Sequence, residues 1–295
     1  MTAAIETNVK TLNAPAKDQT IRFQGGKVGV LLLHGLGGTP AEVRFVAMGL
    51  NKAGYTVHTP QLAGHGTNSD GDTKWQDWYR SARAALVELR KECDTVIVGG
   101  LCMGAILGMH LAARQPDKVQ GVALFSPTLW INGWAMPWTM RLFNLCHSHR
   151  IAKMMTFPDA ESLGIKCPRV RQFVKHALES SPEYGKSGVP ATMVLEHRRM
   201  VKAAMNILHR VRQRTLIVHS RQDDYAALDN ATFLQGTLSG GVDMVVLEDS
   251  YHMVTLDKQR HVVVEKARAF LDSIVSELAA KAANVAAPAA LPLAA

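Results

Sequence analysis

The chain has 295 residues, of which 47% are hydrophobic and 20% charged, with a formal net charge of +8. That length and apolar content build a sizeable core in one large domain or two small ones, and no apolar run is long enough for a membrane-spanning helix. The four cysteines have neither metal-ligand spacing nor the density of a disulfide framework, which excludes a zinc module or a disulfide-stapled secreted domain and suits a reducing cytoplasm.

Residues 1–19 are polar and lack a hydrophobic signal core. A flexible arm and a cytoplasmic protein are expected. Residues 20–27 read as an early strand and a turn at Gly25-Gly26. Residues 28–33 are continuously apolar, as in a strand buried on both faces, and end in His34-Gly35-Leu36-Gly37-Gly38. Thr39-Pro40 opens a helix, with Thr39 as cap and Pro40 at the first helical position. It runs to about Lys52, and Gly54 stops it. A strand over 55–60 leads to the loop Gly64-His65-Gly66. Residues 73–91 form an amphipathic helix with Trp75, Trp78, Ala82, Ala85, Leu86 and Leu89 on one face.

The stretch 95–107 organises the rest. A β-branched run ends in Gly100-Leu101-Cys102-Met103-Gly104, and a helix pattern follows through Met109, His110 and Ala113. Strand, sharp turn and helix describe a nucleophile elbow. The strained turn needs neighbours without bulk, which Gly100 and Gly104 provide. Cys102 then stands at the start of a helix, beside the free N–H of Met103 and the positive dipole end.

Residues 119–125 add another buried strand. Strand and helix alternate to this point, which predicts a parallel sheet with right-handed crossovers. The alternation stops over 128–209, where prolines punctuate helical and irregular segments. This stretch is expected to be a helical cap inserted over the carboxyl edge of the sheet, dividing the core into 20–127 and 210–280. Trp130, Trp134 and Trp138 recur every four residues and would align on a helix, as a wall over an acyl pocket or as plain packing of cap on body. Between Arg141 and Arg214, Lys and Arg outnumber Asp and Glu by 14 to 5. That is either a solvated basic face or an attraction for an anionic substrate or an acidic carrier. No nucleic-acid motif accompanies it.

A strand over 214–219 ends in Ser220-Arg221-Gln222-Asp223-Asp224, and a helix through Ala231, Phe233 and Leu234 follows. The last strand, 242–247, ends in Glu248-Asp249-Ser250-Tyr251-His252. A terminal helix spans 257–278, and the Ala/Pro-rich residues 281–295 read as a flexible tail.

Ligands of open parallel sheets bind beyond the carboxyl ends of the strands. Cys102, Asp223 and His252 each follow such an end, in the order nucleophile, acid, histidine. Asp224, and more weakly Asp249, compete with Asp223. His34 and His65 read as loop-organising residues. Leu36 matters for its backbone N–H.

The chain resembles the α/β-hydrolase superfamily, and within it the small bacterial carboxylesterases and monoacylglycerol lipase-like enzymes. The resemblance rests on Leu31-Leu32-Leu33-His34-Gly35-Leu36-Gly37-Gly38, Gly64-His65-Gly66, Trp75-Gln76-Asp77-Trp78, the elbow, Arg221-Gln222-Asp223-Asp224, and His252-Met253-Val254-Thr255-Leu256-Asp257. It spans about residues 27–273 and is weakest in the cap. It implies an α/β-hydrolase fold, a triad of Cys102, His252 and Asp223, and an oxyanion hole from the N–H groups of Leu36 and Met103. Two residues depart from the family pattern. The elbow serine is Cys102, and the small residue common before the histidine is Tyr251, which narrows the site or adds a hydroxyl. Polyhydroxyalkanoate synthases and dienelactone hydrolases resemble this site in placing cysteine at the elbow.

The chemistry that follows is attack by Cys102 on a carbonyl to give an acyl-cysteine. Hydrolysis of an ester, thioester or lactone is the first expectation. Transfer between carriers, with coenzyme A or an acyl carrier protein as partner, is the second, and a non-catalytic ligand-binding homologue is the third. No metal or organic cofactor is implied.

Overall fold

Val28–Leu33 (β2) shows how the sheet is built: Leu31 and Leu33 point to one side and Val30 and Leu32 to the other, and all four are buried. This two-residue alternation with both faces apolar is what a central parallel strand requires. The computed structural model describes residues 18–66, 72–143, 145–180 and 188–286. Most of the arm, residues 1–17, and the end of the tail, 287–295, lie outside the described residues.

Ile21–Phe23 (β1) precedes β2. The segment after β2 turns first as a short 3-10 helix, Pro40–Val43, and then as Arg44–Lys52 (α1). Thr39 makes no side-chain cap hydrogen bond, so Pro40 alone marks the start as the sequence suggested. Thr56–Thr59 (β3), Trp75–Glu92 (α2), Thr95–Leu101 (β4), Met103–Arg114 (α3) and Gly121–Phe125 (β5) follow. The cap segment holds Trp138–Phe143 (α4), His149–Ala152 (α5), Thr156–Phe157 (β6), Pro168–Ser180 (α6), Val189–Pro190 (β7) and Ala191–Met205 (α7). Arg214–Ser220 (β8), Asp229–Thr237 (α8), Val242–Leu247 (β9) and Arg260–Ala286 (α9) complete the core.

The main sheet has the order β1-β3-β2-β4-β5-β8-β9. Every pairing is parallel except the edge pair of β1 with β3. Helices α1 and α9 cover one face and pack on Val30, Leu32, Ile97 and Val218; α2, α3 and α8 cover the other. A small separate cluster holds the cap together through Met140, Phe143, Phe157, Val194 and Leu195. Helix α7 joins cap to body, because its later residues Met200, Val201 and Ala204 enter the body core.

Two segments differ from the sequence expectation. Residues 257–259 do not begin the terminal helix, because the Asp257 carboxylate is engaged by the backbone N–H groups of Lys166, Cys167, Tyr251 and Lys258. Residues 281–286, expected in the tail, continue α9, as an alanine-rich run readily does.

Candidate active site

Register brings the pieces to one rim. Leu33 lies beside Gly100, and Leu101 beside Phe125, so the His34 loop and Cys102 leave adjacent strands at the same height. Strands β8 and β9 end together at Ser220 and Leu247, which sets Asp223 and His252 over that same edge.

Cys102 has φ 55° and ψ −116°, a conformation that L-residues rarely adopt. The turn is held by Cys102 N–H donating to the Phe125 carbonyl at 2.9 Å. A Cβ on Gly100 would fall 2.3 Å from the Gly104 carbonyl carbon, and one on Gly104 would fall 2.3 Å from the Leu33 oxygen. Both glycines are therefore required by close approach of backbone. Met103 opens α3, so its N–H has no intrahelical partner. The Leu36 N–H is also unpaired within the described residues.

The three rival carboxylates have different partners. His252 Nδ1 donates to the Asp223 carboxylate at 2.8 and 3.0 Å. Asp223 also accepts from the N–H groups of Tyr225 and Ala226. Asp224 instead accepts from the His252 backbone N–H and the Ser162 hydroxyl, and Asp249 pairs with Lys166 and Lys258 at the surface. Burial disfavours a charged His252, but Asp223 and Cys102 beside it outweigh that and raise it well above the ordinary histidine range. Burial likewise pushes Asp223 up, yet the imidazolium and its hydrogen bond hold it below the usual carboxylate range. For Asp224, burial prevails and raises it. Nε2 of His252 has no nitrogen or oxygen partner, and the thiol of Cys102 is the group beside it. The arrangement can take a proton from sulfur, hold it, and return it to a leaving group.

His34 and His65 are structural. His34 Nε2 accepts the Leu62 N–H and Nδ1 donates to the Gly35 carbonyl. Burial pushes His34 down to about 3 and His65 to about 4, so both rings stay neutral.

Trp130, Trp134 and Trp138 do not share one helical face. Residues 128–137 are loop and turn, and α4 begins only at Trp138. Gly133 lies in this loop with its Cα against the Asp224 backbone, where a Cβ would come within 2.3 Å. Trp138 is exposed, Trp130 packs edge-on against Phe233, and Trp134 packs against Tyr251 and donates to the Gln222 carbonyl. Neither these three nor Tyr251 line the cavity that holds Cys102. That cavity, about 290 Å³, is walled by Leu36, Ile131, Met136, Met140, Phe157 and Val194 among others. Trp130 borders an adjoining cavity of about 480 Å³. Among the described residues no group of His, Cys, Asp and Glu could hold a metal ion, and no helix is long and apolar enough to cross a membrane.

The sequence reading missed several supports. The Ser126 hydroxyl donates to the His252 carbonyl at 2.7 Å. His219 is buried beside Asp223, with Nε2 donating to the Ala226 carbonyl and 3.4 Å from the carboxylate. Glu42 accepts the Gly35 N–H at 2.7 Å and packs against Gly38, bracing the loop that carries Leu36. Its signal was present as Thr39-x-x-Glu42, a capping-box spacing, but the carboxyl turns to Gly35 instead of the Thr39 N–H.

Burial raises Glu42 from 4.5 to about 7. The native state therefore holds a proton that the unfolded chain has lost between those values, and stability falls as pH rises through that window. Glu42→Gln removes this penalty while keeping an acceptor for Gly35. Its unfolding free energy relative to the parent should rise by up to about 3 kcal/mol between acid and alkaline sides of the window. Urea denaturation at about pH 5 and about pH 8 measures it, and an unchanged difference would contradict the assignment.

A profile of the family described as serine aminopeptidase, S33, matches residues 26–259. The chain is 30% identical over 250 residues to the thermostable monoacylglycerol lipase of Bacillus sp. (strain H-257), covering 84% of this chain and 91% of the relative. It is 24% identical over 256 residues to a carboxylesterase of Bacillus subtilis (strain 168), covering 85% and 95%. A solved structure from work on LipS and LipT, two metagenome-derived lipolytic enzymes, superposes with TM-score 0.73 at 26% identity over 86% of this chain and 97% of that one. A soluble variant of the monoglyceride lipase of Saccharomyces cerevisiae gives 0.74 at 14% identity over 92% and 99%, which speaks for the fold alone.

Proposed function

The chain belongs to the serine aminopeptidase S33 family and has the α/β-hydrolase fold, and from that premise we propose that it cleaves carboxylic esters through an acyl-cysteine intermediate on Cys102. The observation that carries this reading is the chain Asp223–His252, with Nδ1 fixed by the carboxylate and Nε2 left to the thiol on a strained elbow. The named activities of the relatives, lipase and carboxylesterase, agree with it.

Sulfur of Cys102, its proton passed to His252, attacks the carbonyl carbon. The N–H groups of Leu36 and Met103 receive the developing oxyanion. The carbon–oxygen bond breaks, and the leaving alkoxide takes the proton from Nε2. Water then gives a proton to His252 and attacks the thioester, releasing the acid and restoring the thiol. Asp223 holds the tautomer and stabilises the imidazolium throughout.

A second reading, transfer of the acyl group to a carrier such as coenzyme A or an acyl carrier protein, draws on one observation. The adjoining cavity is bordered by Arg198 and Lys202, and among the described residues no acidic side chain lines it. Incubation with a p-nitrophenyl ester and intact-mass measurement test the intermediate: a single acyl adduct mapping to Cys102 is expected. Turnover without any adduct on Cys102, under rapid acid quench, would count against it. Adding an alcohol, amine or thiol acceptor separates the readings, since free acid in every case means hydrolysis and acceptor-dependent product means transfer.

A further inference from the structure

The cavity above Cys102 is largely apolar, and among the described residues each hydroxyl, carboxylate and imidazole lining it, with one exception, makes a hydrogen bond. The Tyr225 hydroxyl accepts the Ala160 N–H, the Asp159 carboxylate accepts the Gly188 N–H, and the Thr128 hydroxyl donates to the Ser126 carbonyl. The exception is His197, on α7. It is 1% exposed, lines both the cavity of Cys102 and the adjoining one, and at Nδ1 and Nε2 has no partner in hydrogen-bonding geometry among the described residues.

A buried polar group without a partner is expensive to keep. Leucine or methionine would fill the same wall without that loss, and the wall already contains Ile131, Met136, Met140 and Val194. Burial pushes His197 down to about 4, so the ring is neutral and offers one N–H and one bare nitrogen. The Thr128 backbone is the group that acts on it, in the direction of a carbonyl beside the ring N–H. The other nitrogen is then left as an acceptor with no partner among the described residues, on a ring that lines the apolar cavity.

Resting on the esterase reading above, we propose that His197 is a specificity-determining residue that accepts a hydrogen bond from a hydroxyl on the acyl chain, so that the preferred substrates are esters of hydroxylated carboxylic acids. A plain acyl chain would leave the nitrogen unpaired in the filled cavity, whereas a hydroxyl at the right carbon satisfies both groups. Sites built to pair a substrate hydroxyl discriminate strongly against analogues lacking it.

The test compares p-nitrophenyl octanoate with a series of its monohydroxylated counterparts, the hydroxyl moved along the chain from the third carbon outward. The parent enzyme is expected to favour at least one hydroxylated ester by about tenfold or more in kcat/KM. His197→Leu should abolish that preference by slowing only the favoured ester, leaving octanoate equal or faster. His197→Gln, which keeps an acceptor, should restore part of it. A parent enzyme with no preference at any position, or a His197→Leu variant that slows all esters alike, overturns the proposal. Mass measurement of Cys102 keeps the two readings apart. Acylation without hydroxyl preference removes the subsite alone, while absence of acylation by every ester removes the acyl-enzyme and the subsite together.

Discussion

Replacing Cys102 with alanine is expected to lower kcat by about 10⁴-fold or more while KM stays nearly unchanged, because the cavity walls remain and only the attacking atom is lost. The turn itself is shaped around this position: Cys102 has φ 55° at a non-glycine residue, and two glycines make room for it. Cys102→Ser supplies the informative contrast. It keeps a nucleophile in the same turn, so ester hydrolysis should persist at a reduced rate, while inactivation by iodoacetamide should disappear. Steady-state kinetics on a short p-nitrophenyl ester, with alkylation followed in parallel, gives both results. An alanine variant that turns over at the parental rate would move the chemistry away from the elbow.

Asp223→Asn is expected to reduce kcat by roughly 10³- to 10⁴-fold, since an amide cannot hold the Nδ1–H tautomer or offset an imidazolium. The neighbouring Asp224→Asn should behave differently. Its carboxylate binds the His252 backbone N–H and the Ser162 hydroxyl, not the ring, so its loss should appear first in thermal stability, with kcat falling no more than about tenfold. The pH profile separates the two roles. His252 is held well above the ordinary histidine range with Asp223 as its principal charged partner, so Asp223→Asn should shift the ionisation of His252 downward and Asp224→Asn should shift it far less. Equal losses of kcat in the two variants, with no difference in profile, would mean that geometry at Nδ1 does not select the catalytic acid.

Much of the fold was legible because its signals are local. The apolar runs at 28–33, 95–101 and 214–219 have the length and composition of buried strands, and Gly100 and Gly104 announce a turn that admits no Cβ. The adjacent carboxylates Asp223 and Asp224 were not separable by local pattern. One bonds the ring and the other the backbone of the same histidine, a choice made by the path of the β8 and β9 loops. The tryptophans, which the sequence left between a pocket wall and plain packing, show the same limit. Their four-residue spacing is genuine, but 128–137 is loop and turn, with Gly133 against the Asp224 backbone, so the three rings do not share a helical face.

Chain order, strand ends and the elbow thus came from the amino-acid sequence alone, since each depends on residues within a few positions of one another. What surrounds the thiol was decided by tertiary structure. Glu42 under the Leu36 loop, Ser126 and His219 beside His252 and Asp223, and His197 in the cavity wall are placed by strand register and by the descent of α7 into the body. No short-range pattern encodes such placements, because the atoms that satisfy or isolate each polar group arrive from distant parts of the chain.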